Sequence, residues 1–161
     1  MNVYTVSFFG HRQISNPLLV KERLEKIVDE IIRTKEYVEF LVGRDGEFDI
    51  MAASVVRRTA KKLDYGNSSL ILVLPYMKSE YRDNRQSFHE YYDEIEVCAE
   101  SVKAHFKAAI GIRNKSMADR SDLVVCCVEH NSGGAYQTMR YAKQRQKQIV
   151  NTADRTAPID I

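Results

Sequence analysis

The sequence has few cysteines, and their spacing suggests neither a disulfide framework nor a metal site. Cys126 and Cys127 are adjacent within the apolar run LVVCCV, and Cys98 stands alone. Neighbouring residues on a strand point to opposite faces, so Cys126 and Cys127 are poorly placed to hold one metal ion together. We therefore expect all three to be small, buried hydrophobic residues in a reducing compartment.

An excess of one charge and a long apolar run are also missing. The 24 Lys and Arg residues face 22 Asp and Glu residues, and the resulting net charge of +2 argues against nucleic acid or a membrane surface as a partner. No apolar run approaches the roughly 20 residues of a membrane span. The N-terminal sequence MNVYTVSFFGHR lacks the basic start and the cleavage site of a signal peptide. We expect a cytoplasmic protein that does not contact membranes.

What is present is an alternation of two periodicities over 161 residues, a length that suits a single domain. Continuous β-rich runs predict strands that are covered on both faces, at 3–9, 38–43, 69–76, 122–128 and 148–151. Apolar residues at helical spacing predict helices at 17–35 (capped by Asn16 before Pro17), 49–63, 102–117 and from 134 onwards. Residues 77–92 read as a long loop with a helical turn or two, followed by a short strand near 94–97. This pattern predicts an α/β fold with a doubly wound, mostly parallel sheet flanked by helices over 1–151, and a polar tail over 152–161.

Glycine-rich loops follow three of the predicted strands. They are FGHR at 9–12, GRDGEFD at 43–49 and NSGG at 131–134. In an open parallel sheet, ligands bind beyond the carboxyl ends of the strands, where glycine lets backbone amides approach an anion and a helix N-terminus adds partial positive charge. Glycine also simply permits turns, but three such loops on one edge favour a site for a phosphate-bearing ligand. Ser132, Gly133 and Gly134 are the best phosphate cradle, to which Ser132 or Thr138 would add a hydroxyl donor.

Two side chains after the first strand add charge to this edge. Arg12 is suited to clamp a phosphate through two hydrogen bonds. His11 is suited to donate to a phosphate or to act as an acid or base near neutral pH. The alternative is structural, with His11 capping a carbonyl and Arg12 pairing with a surface carboxylate.

Arg113 is the most informative residue in the middle of the chain, because it lies in the apolar stripe of one helix. A buried arginine is costly unless it meets an anion, so it either pairs with Asp119 or Asp122 or faces the ligand. Asn114 beside it would read a sugar hydroxyl or a base edge. Asp49 likewise has two possible roles, as the cap of a helix or as a contact to the ligand.

Motifs of several enzyme classes are absent. The sequence contains no Walker A loop, no dinucleotide GxGxxG and no GxSxG nucleophile elbow. His89, His105 and His130 show no metal-ligand spacing with one another or with the cysteines. We expect no metal and no required cofactor.

Four segments taken together resemble the SLOG superfamily, which joins the DNA-processing protein A family with the lonely-guy nucleoside-phosphate hydrolases. The segments are FFGHR, VGRDGEFD, IRNKSMADRSDLVVCCV and NSGGAYQTMRYAKQRQKQIVN, and their order and spacing span residues 3–151. The nearest likeness is to the small bacterial and phage branch, the YpsA-like proteins. The resemblance implies a Rossmann-like fold, a bound nucleotide or ADP-ribose-like ligand, and a homodimer. Carried over by position, the ligand-binding residues are Gly10, His11, Arg12, Gly43, Asp49, Arg113, Asn114, Ser132, Gly133, Gly134 and Thr138.

The sequence departs from the hydrolases of this superfamily at one decisive position. Their loop PGGxGTxxE carries a catalytic glutamate, and alignment of its paired glycines on Gly133 and Gly134 puts Arg140 at that glutamate. We therefore expect a sensor, carrier or sequestering module for a phosphate-bearing ligand rather than an enzyme. A hydrolase of an N-glycosidic or phosphate bond, with His11 or Asp49 as acid or base, is the alternative. Binding of single-stranded nucleic acid is a weaker alternative, for which Arg57, Arg58, Lys61 and Lys62 form the densest cationic cluster.

Overall fold

The computed structural model describes residues 1–154. These residues form six strands and six helices, in the chain order β1 (Val3–Gly10), α1 (Pro17–Thr34), β2 (Tyr37–Val42), α2 (Glu47–Leu63), β3 (Ser68–Leu74), α3 (Ser79–Asp83), α4 (Arg85–Tyr91), β4 (Glu94–Val97), α5 (Phe106–Asp119), β5 (Leu123–Cys127), α6 (Gly134–Gln144) and β6 (Gln148–Asn151). The strands form one sheet in the order β4-β3-β2-β1-β5-β6, and every neighbouring pair is parallel. The predicted α/β fold, a doubly wound parallel sheet flanked by helices, is confirmed.

The apolar strands are covered on both faces, as their uninterrupted hydrophobicity requires. Phe8 and Phe40 pack on one face with the apolar sides of α1 and α2, and Phe9 and Leu41 pack on the other with α5 and α6. Cys127 belongs to the first layer and Cys126 to the second, so the adjacent cysteines do point to opposite faces. Burial raises the pKa of the Cys126 thiol to about 12 and that of Cys127 to about 11, which leaves both protonated and unreactive at neutral pH.

The helix ends show where sequence patterns located the boundaries correctly and where they did not. The Asn16 side chain accepts a hydrogen bond from the backbone N–H of Leu19, and Pro17 opens α1 as expected. The helix expected from residue 102 begins only at Phe106. The expected loop 77–92 contains the two short helices α3 and α4, whose aromatic residues join the first core layer.

The end of the described chain is held against the sheet. Thr152 is 1% exposed, and both its backbone N–H and its hydroxyl donate to the carbonyl oxygen of Cys126, at 2.7 and 2.8 Å. The first residue of the expected polar tail is therefore part of the packed domain. Residues 155–161 of that tail lie outside the described residues. Within residues 1–154, no helix has the length and apolar character needed to cross a bilayer.

The order in which strands are added to the sheet reverses between β1 and β5, although all the strands run in the same direction. The chain runs from β1 outward through β2, β3 and β4, then returns to β5 and continues to β6 on the other side. Loops that leave the carboxyl ends of two such strands diverge and open a crevice, which is where open α/β sheets bind ligands. The loops in question are the one after Gly10 and the one between Cys127 and Gly134.

Candidate functional site

A cleft of about 250 Å³ lies at this point. Nine of the eleven residues predicted for the ligand site line it, namely Gly10, His11, Arg12, Gly43, Asp49, Arg113, Asn114, Gly133 and Gly134. They come from four segments of the chain, which the parallel sheet gathers at one edge. The two predicted residues that do not line the cleft are Ser132 and Thr138.

The first two glycine loops are packed directly on each other. A Cβ atom at Gly10 would collide with the ring of Phe48, and one at Gly46 would collide with the Cα atom of Arg12. The backbone N–H of Glu47 donates to the carbonyl oxygen of Arg12 at 2.9 Å, which ties α2 to the loop after β1. At Gly10 and Gly46, glycine therefore serves close loop packing.

The third loop presents an uncapped helix N-terminus. Gly133 is the N-cap residue of α6, with φ of 91°, and no side chain among residues 1–154 accepts a capping hydrogen bond there. Gly134 and Ala135, at the start of the helix, line the cleft. The backbone N–H groups of a first helical turn lack partners within the helix and carry partial positive charge, so this end of α6 is ready to receive an anion.

The two hydroxyls expected to assist this anion site lie elsewhere. Thr138 is 3% exposed and its hydroxyl donates to the carbonyl oxygen of Gly134 at 2.8 Å, as a helical threonine does when it bonds back along its own helix. The hydroxyl of Ser132 lies 3.2 Å from Nδ1 of His130 instead of capping α6. The backbone amides of α6, with no help from either hydroxyl, form the anion-ready part of the cleft.

Arg12 is an exposed cation at the rim. It lines the cleft, and its guanidinium has neither a hydrogen bond nor an ion pair with any residue in the described part of the chain. The expected alternative, a pairing with a surface carboxylate, is not what the structure contains. This charge is available to a ligand.

His11 is fixed by the loop before α6. Its Nε2 accepts a hydrogen bond from the backbone N–H of Glu129 at 3.0 Å, so His11 caps an amide and not, as the structural alternative had it, a carbonyl. Its ring stacks on the ring of His130, with the centroids 3.8 Å apart and the planes at 9°. Burial and the neighbouring His130 lower the pKa of His11, which keeps the ring neutral and Nε2 an acceptor.

Arg113 is 2% exposed and forms an ion pair, but with neither of the expected partners. Its Nη2 donates to Asp45, and its Nη1 donates to the carbonyl oxygen of Val73 at 2.7 Å. Of the expected partners, Asp119 pairs with Arg145, and Asp122 accepts the backbone N–H of Thr5. Arg113 therefore lines the cleft and is also internally neutralised.

Asp45 is the site residue that sequence reasoning missed. It lines the cleft between two cations, because Lys78 donates to its other oxygen at 2.8 Å. Burial opposes ionisation, but the charges of Arg113 and Lys78 outweigh it and hold the pKa of Asp45 below its ordinary value. The available signal was a carboxylate in the predicted loop 43–49, on the same edge of the sheet as a buried arginine.

Asn114 offers an unused donor to the cleft. Its side-chain oxygen accepts a hydrogen bond from Nε of Arg113 at 2.9 Å, which fixes the orientation of the amide. Its side-chain nitrogen has no hydrogen-bond partner among residues 1–154, although Asn114 is only 9% exposed. This nitrogen is not one of the fully buried polar atoms that lack a partner, so it is open to the cleft and available to an acceptor on a ligand.

Asp49 lines the same cleft from the first turn of α2. Gly46 is the N-cap of that helix, so Asp49 is not the cap that the sequence allowed, and its Oδ2 accepts the backbone N–H of Asp45 at 2.8 Å. The residue is 8% exposed. Burial raises the pKa of Asp49 to about 6, although the bond from Asp45 works in the opposite direction. The cleft thus holds two carboxyl groups of different character, one firmly ionised and one that titrates near neutral pH.

Arg140, at the position of the hydrolase glutamate, does not reach the cleft. Arg140 is exposed, and its guanidinium lies over the ring of Tyr136, 5.8 Å from the centroid, outside the cleft. Within residues 1–154, no three His, Cys, Asp or Glu side chains are grouped so that they would hold a metal ion. The carboxyl groups that line the cleft are those of Asp45 and Asp49.

Solved structures share this architecture. DNA processing protein A from Helicobacter pylori, described for its single-stranded DNA binding mode, superposes over 91% of this chain and 63% of its own, with a TM-score of 0.63 and 16% identity. DNA processing protein A from Streptococcus pneumoniae matches over 91% of this chain and 49% of its own, with a TM-score of 0.66 and 14% identity. The chain has the fold of DNA processing protein A. It spans about half to two thirds of the length of those proteins.

A third structure with this fold is the molybdenum cofactor carrier protein MCP from Chlamydomonas reinhardtii. It matches over 92% of this chain and 75% of its own, with a TM-score of 0.56 and 14% identity. No family model matches the chain, and no curated protein matches its sequence. The Rossmann-like fold expected from the SLOG resemblance is confirmed by these three structures.

Proposed function

We propose that the protein binds a nucleotide or a nucleotide-derived, phosphate-bearing small molecule, and acts as a sensor, carrier or sequestering module. The observation that carries this proposal is the uncapped N-terminus of α6, which opens into a cleft beside the unpaired cation of Arg12. Backbone amides at the start of a helix and an arginine guanidinium both bind phosphate in many proteins. Here they stand at the switch point of a parallel sheet.

The rest of the cleft suits the other parts of a nucleotide. The amide nitrogen of Asn114 is a donor without a partner in the described chain, and Asp49 supplies a buried carboxyl group. Ribose hydroxyls and base edges carry matching donors and acceptors. Since Arg113 is already neutralised by Asp45, it contributes shape and orientation to the cleft rather than a free charge.

Among the three roles, a carrier has support from a fold neighbour. The fold neighbour MCP is a cofactor carrier, which supports a carrier function for this fold. The homodimer implied by the SLOG resemblance stays a prediction, and light scattering of the purified protein tests it. A cytoplasmic location and the absence of any required cofactor also stay predictions.

Isothermal titration with nucleoside mono-, di- and triphosphates and ADP-ribose tests the proposal directly. The wild type is expected to bind at least one of them with micromolar affinity, and Arg12→Ala to weaken that binding by tenfold or more, since a hydrogen bond to a charged group contributes about 1.5–3 kcal/mol. Arg82→Ala is the matched control, because Arg82 is exposed and lies outside the cleft. Failure of every phosphate-bearing compound to bind at millimolar concentration would overturn the proposal.

Hydrolysis of an N-glycosidic or phosphate bond is a second candidate, favoured by Asp49. A buried carboxyl group with a pKa of about 6 beside an ionised one is the arrangement that acid–base catalysis uses. Turnover of a bound nucleotide that disappears in Asp49→Asn, with binding retained, would establish it. Chromatography over several hours monitors product formation. Binding by the wild type with no product in that time would exclude hydrolysis.

Single-stranded DNA is a third candidate ligand, since a fold neighbour binds it. That likeness weakens the expectation, drawn from the net charge, that nucleic acid is not a partner. The cationic cluster expected to serve such binding is exposed on α2, and Arg58 and Lys62 there share a surface depression with the acidic residues Glu25 and Asp29 of α1. These acids reduce the positive potential. Titration of a fluorescent 20-nucleotide oligothymidylate at two salt concentrations tests this candidate, and salt-dependent binding that Lys61→Glu weakens would support it.

A further inference from the structure

A second depression adjoins the cleft on the outer side of the loop after β1. It has a volume of about 610 Å³ and is lined by His11, Arg12, Gln13, Ile14, Ser15, Glu129 and His130. His11 and Arg12 belong to both the cleft and this depression. A ligand lying in the cleft can therefore continue across Arg12 without leaving the surface of the protein.

The depression offers an aromatic face. The inner side of the His130 ring is stacked on His11, nearly parallel at 3.8 Å, and His11 in turn is anchored by the backbone N–H of Glu129. His130 itself is exposed, and its Nδ1 lies 3.2 Å from the hydroxyl of Ser132. A flat ring supported from behind and open in front is a platform on which a nucleobase stacks without sequence preference.

The charges around this platform discriminate between parts of a ligand. Glu129 accepts the backbone N–H and the hydroxyl of Ser15, at 3.0 and 2.7 Å, and these bonds lower its pKa, so it is ionised. An anion at this position repels phosphate and favours the hydroxyl donors of a sugar. Phosphate is favoured instead between the depression and the cleft, where Arg12 and the amides of α6 supply positive charge.

These positions follow the chemical order nucleoside, diphosphate, nucleoside. We propose that the ligand is a dinucleotide whose two nucleosides are joined by a pyrophosphate, with one nucleoside in the cleft and the second stacked on His130. This inference rests on the proposed function and extends it, because the proposed function requires only a nucleotide in the cleft. The pyrophosphate lies between Arg12 and the start of α6, and the sugar of the second nucleoside faces Glu129.

Matched pairs of ligands separate this inference from the proposed function. Titration calorimetry compares ADP, GDP and UDP with diadenosine, diguanosine and diuridine diphosphate, so that members of a pair differ by the second nucleoside. At least one dinucleotide is expected to bind about tenfold tighter than its nucleoside diphosphate, as stacking of one base provides. This gain in affinity is expected although the dinucleotide carries less negative charge than the nucleoside diphosphate.

Variants of the platform show whether His130 is its cause. His130→Ala is expected to remove the tenfold gain and leave the affinity for the nucleoside diphosphate unchanged, which also shows that the cleft remains folded. His130→Phe is expected to retain the gain. His89→Ala is the matched control, because His89 is exposed but lines neither depression.

The outcomes are distinct. If no compound of either kind binds, the proposed function itself fails. If the nucleoside diphosphates bind and no dinucleotide binds more tightly than its nucleoside diphosphate, the second subsite is overturned and the proposed function stands. The same holds if the tighter binding of a dinucleotide persists in His130→Ala. Tighter binding of a ten-nucleotide single strand than of any dinucleotide also overturns it, in favour of nucleic acid.

Discussion

The two sides of the cleft differ in how their charges are used. On the side of β2 and β3, Arg113 and Lys78 both pair with the carboxylate of Asp45 within the protein. On the side of β1 and α6, Arg12 has no partner in the described chain and the first turn of α6 has no cap. The sequence offers an arginine on each side, and the two cannot be told apart by residue type.

This difference separates charges that stabilise the fold from charges that are available to a ligand. A buried ion pair is strongly destabilising to break, because removal of one partner leaves the other charged and desolvated. An exposed, unpaired charge contributes little to stability. Variants of the two sides are therefore expected to separate cleanly, with effects on unfolding on the first side and effects on ligand affinity on the second.

The largest effect is expected for Arg113→Met. It leaves Asp45 with only Lys78 and is expected to lower the free energy of unfolding by about 3–5 kcal/mol. Chemical denaturation of Arg113→Met, Asp45→Asn and the double variant measures the coupling, and the double variant is expected to recover part of the loss. Arg120→Met is the control, since its pairs with Glu96 and Glu39 are partly exposed and contribute about 0–1 kcal/mol. Additive effects of the two single substitutions would contradict the comparison.

The next effect is expected for Asp49→Asn and depends on pH. The pKa of Asp49 is raised from 3.8 to about 6 in the folded protein, so the folded state holds the proton more tightly than the unfolded state. The contribution of Asp49 to stability therefore falls as pH rises from about 4 to about 6, by up to about 3 kcal/mol. The asparagine side chain of the variant does not titrate, and its oxygen still accepts the N–H of Asp45.

Urea denaturation at pH 4.5 and pH 7.5 measures this prediction. The stability of Asp49→Asn relative to the wild type is expected to be higher at pH 7.5 than at pH 4.5. Asp83→Asn, at an exposed position, is the control and is expected to show no such change. If the stability difference between Asp49→Asn and the wild type is the same at both pH values, Asp49 ionises as an ordinary carboxyl group does.

A smaller effect is expected for Gly10→Ala. The added methyl group collides with the ring of Phe48, and overpacking of this kind costs about 1–3 kcal/mol of stability. Gly134→Ala is the matched control, because a Cβ atom there meets nothing within 4 Å, and it is expected to change stability by less than about 0.5 kcal/mol. Thermal and chemical denaturation compare the two. Equal effects would mean that the glycine loops do not differ in the way the structure indicates.

The fold was predictable because its signals are local. Continuous apolar runs marked the central strands, and Asn16-Pro17 marked the start of α1. Glycine after the strands marked the edge where the cleft lies. The partner of Arg113 was not predictable, because Asp45 is 68 residues away and only the register of the sheet brings the two together. The hydroxyl of Thr138 was assigned to a ligand because its helical position did not reveal that it bonds back to Gly134.

The smallest effect on stability is expected for Arg12→Ala, and this variant completes the comparison. Because the guanidinium has no polar partner in the described chain, its removal breaks no hydrogen bond or ion pair there, and the free energy of unfolding is expected to change by less than about 0.5 kcal/mol. The same variant is expected to be among the most damaging to phosphate binding. Denaturation and ligand titration on one preparation measure both. A stability loss comparable to that of Arg113→Met would show that Arg12 belongs to the structural side after all, and would remove the main free charge from the ligand side.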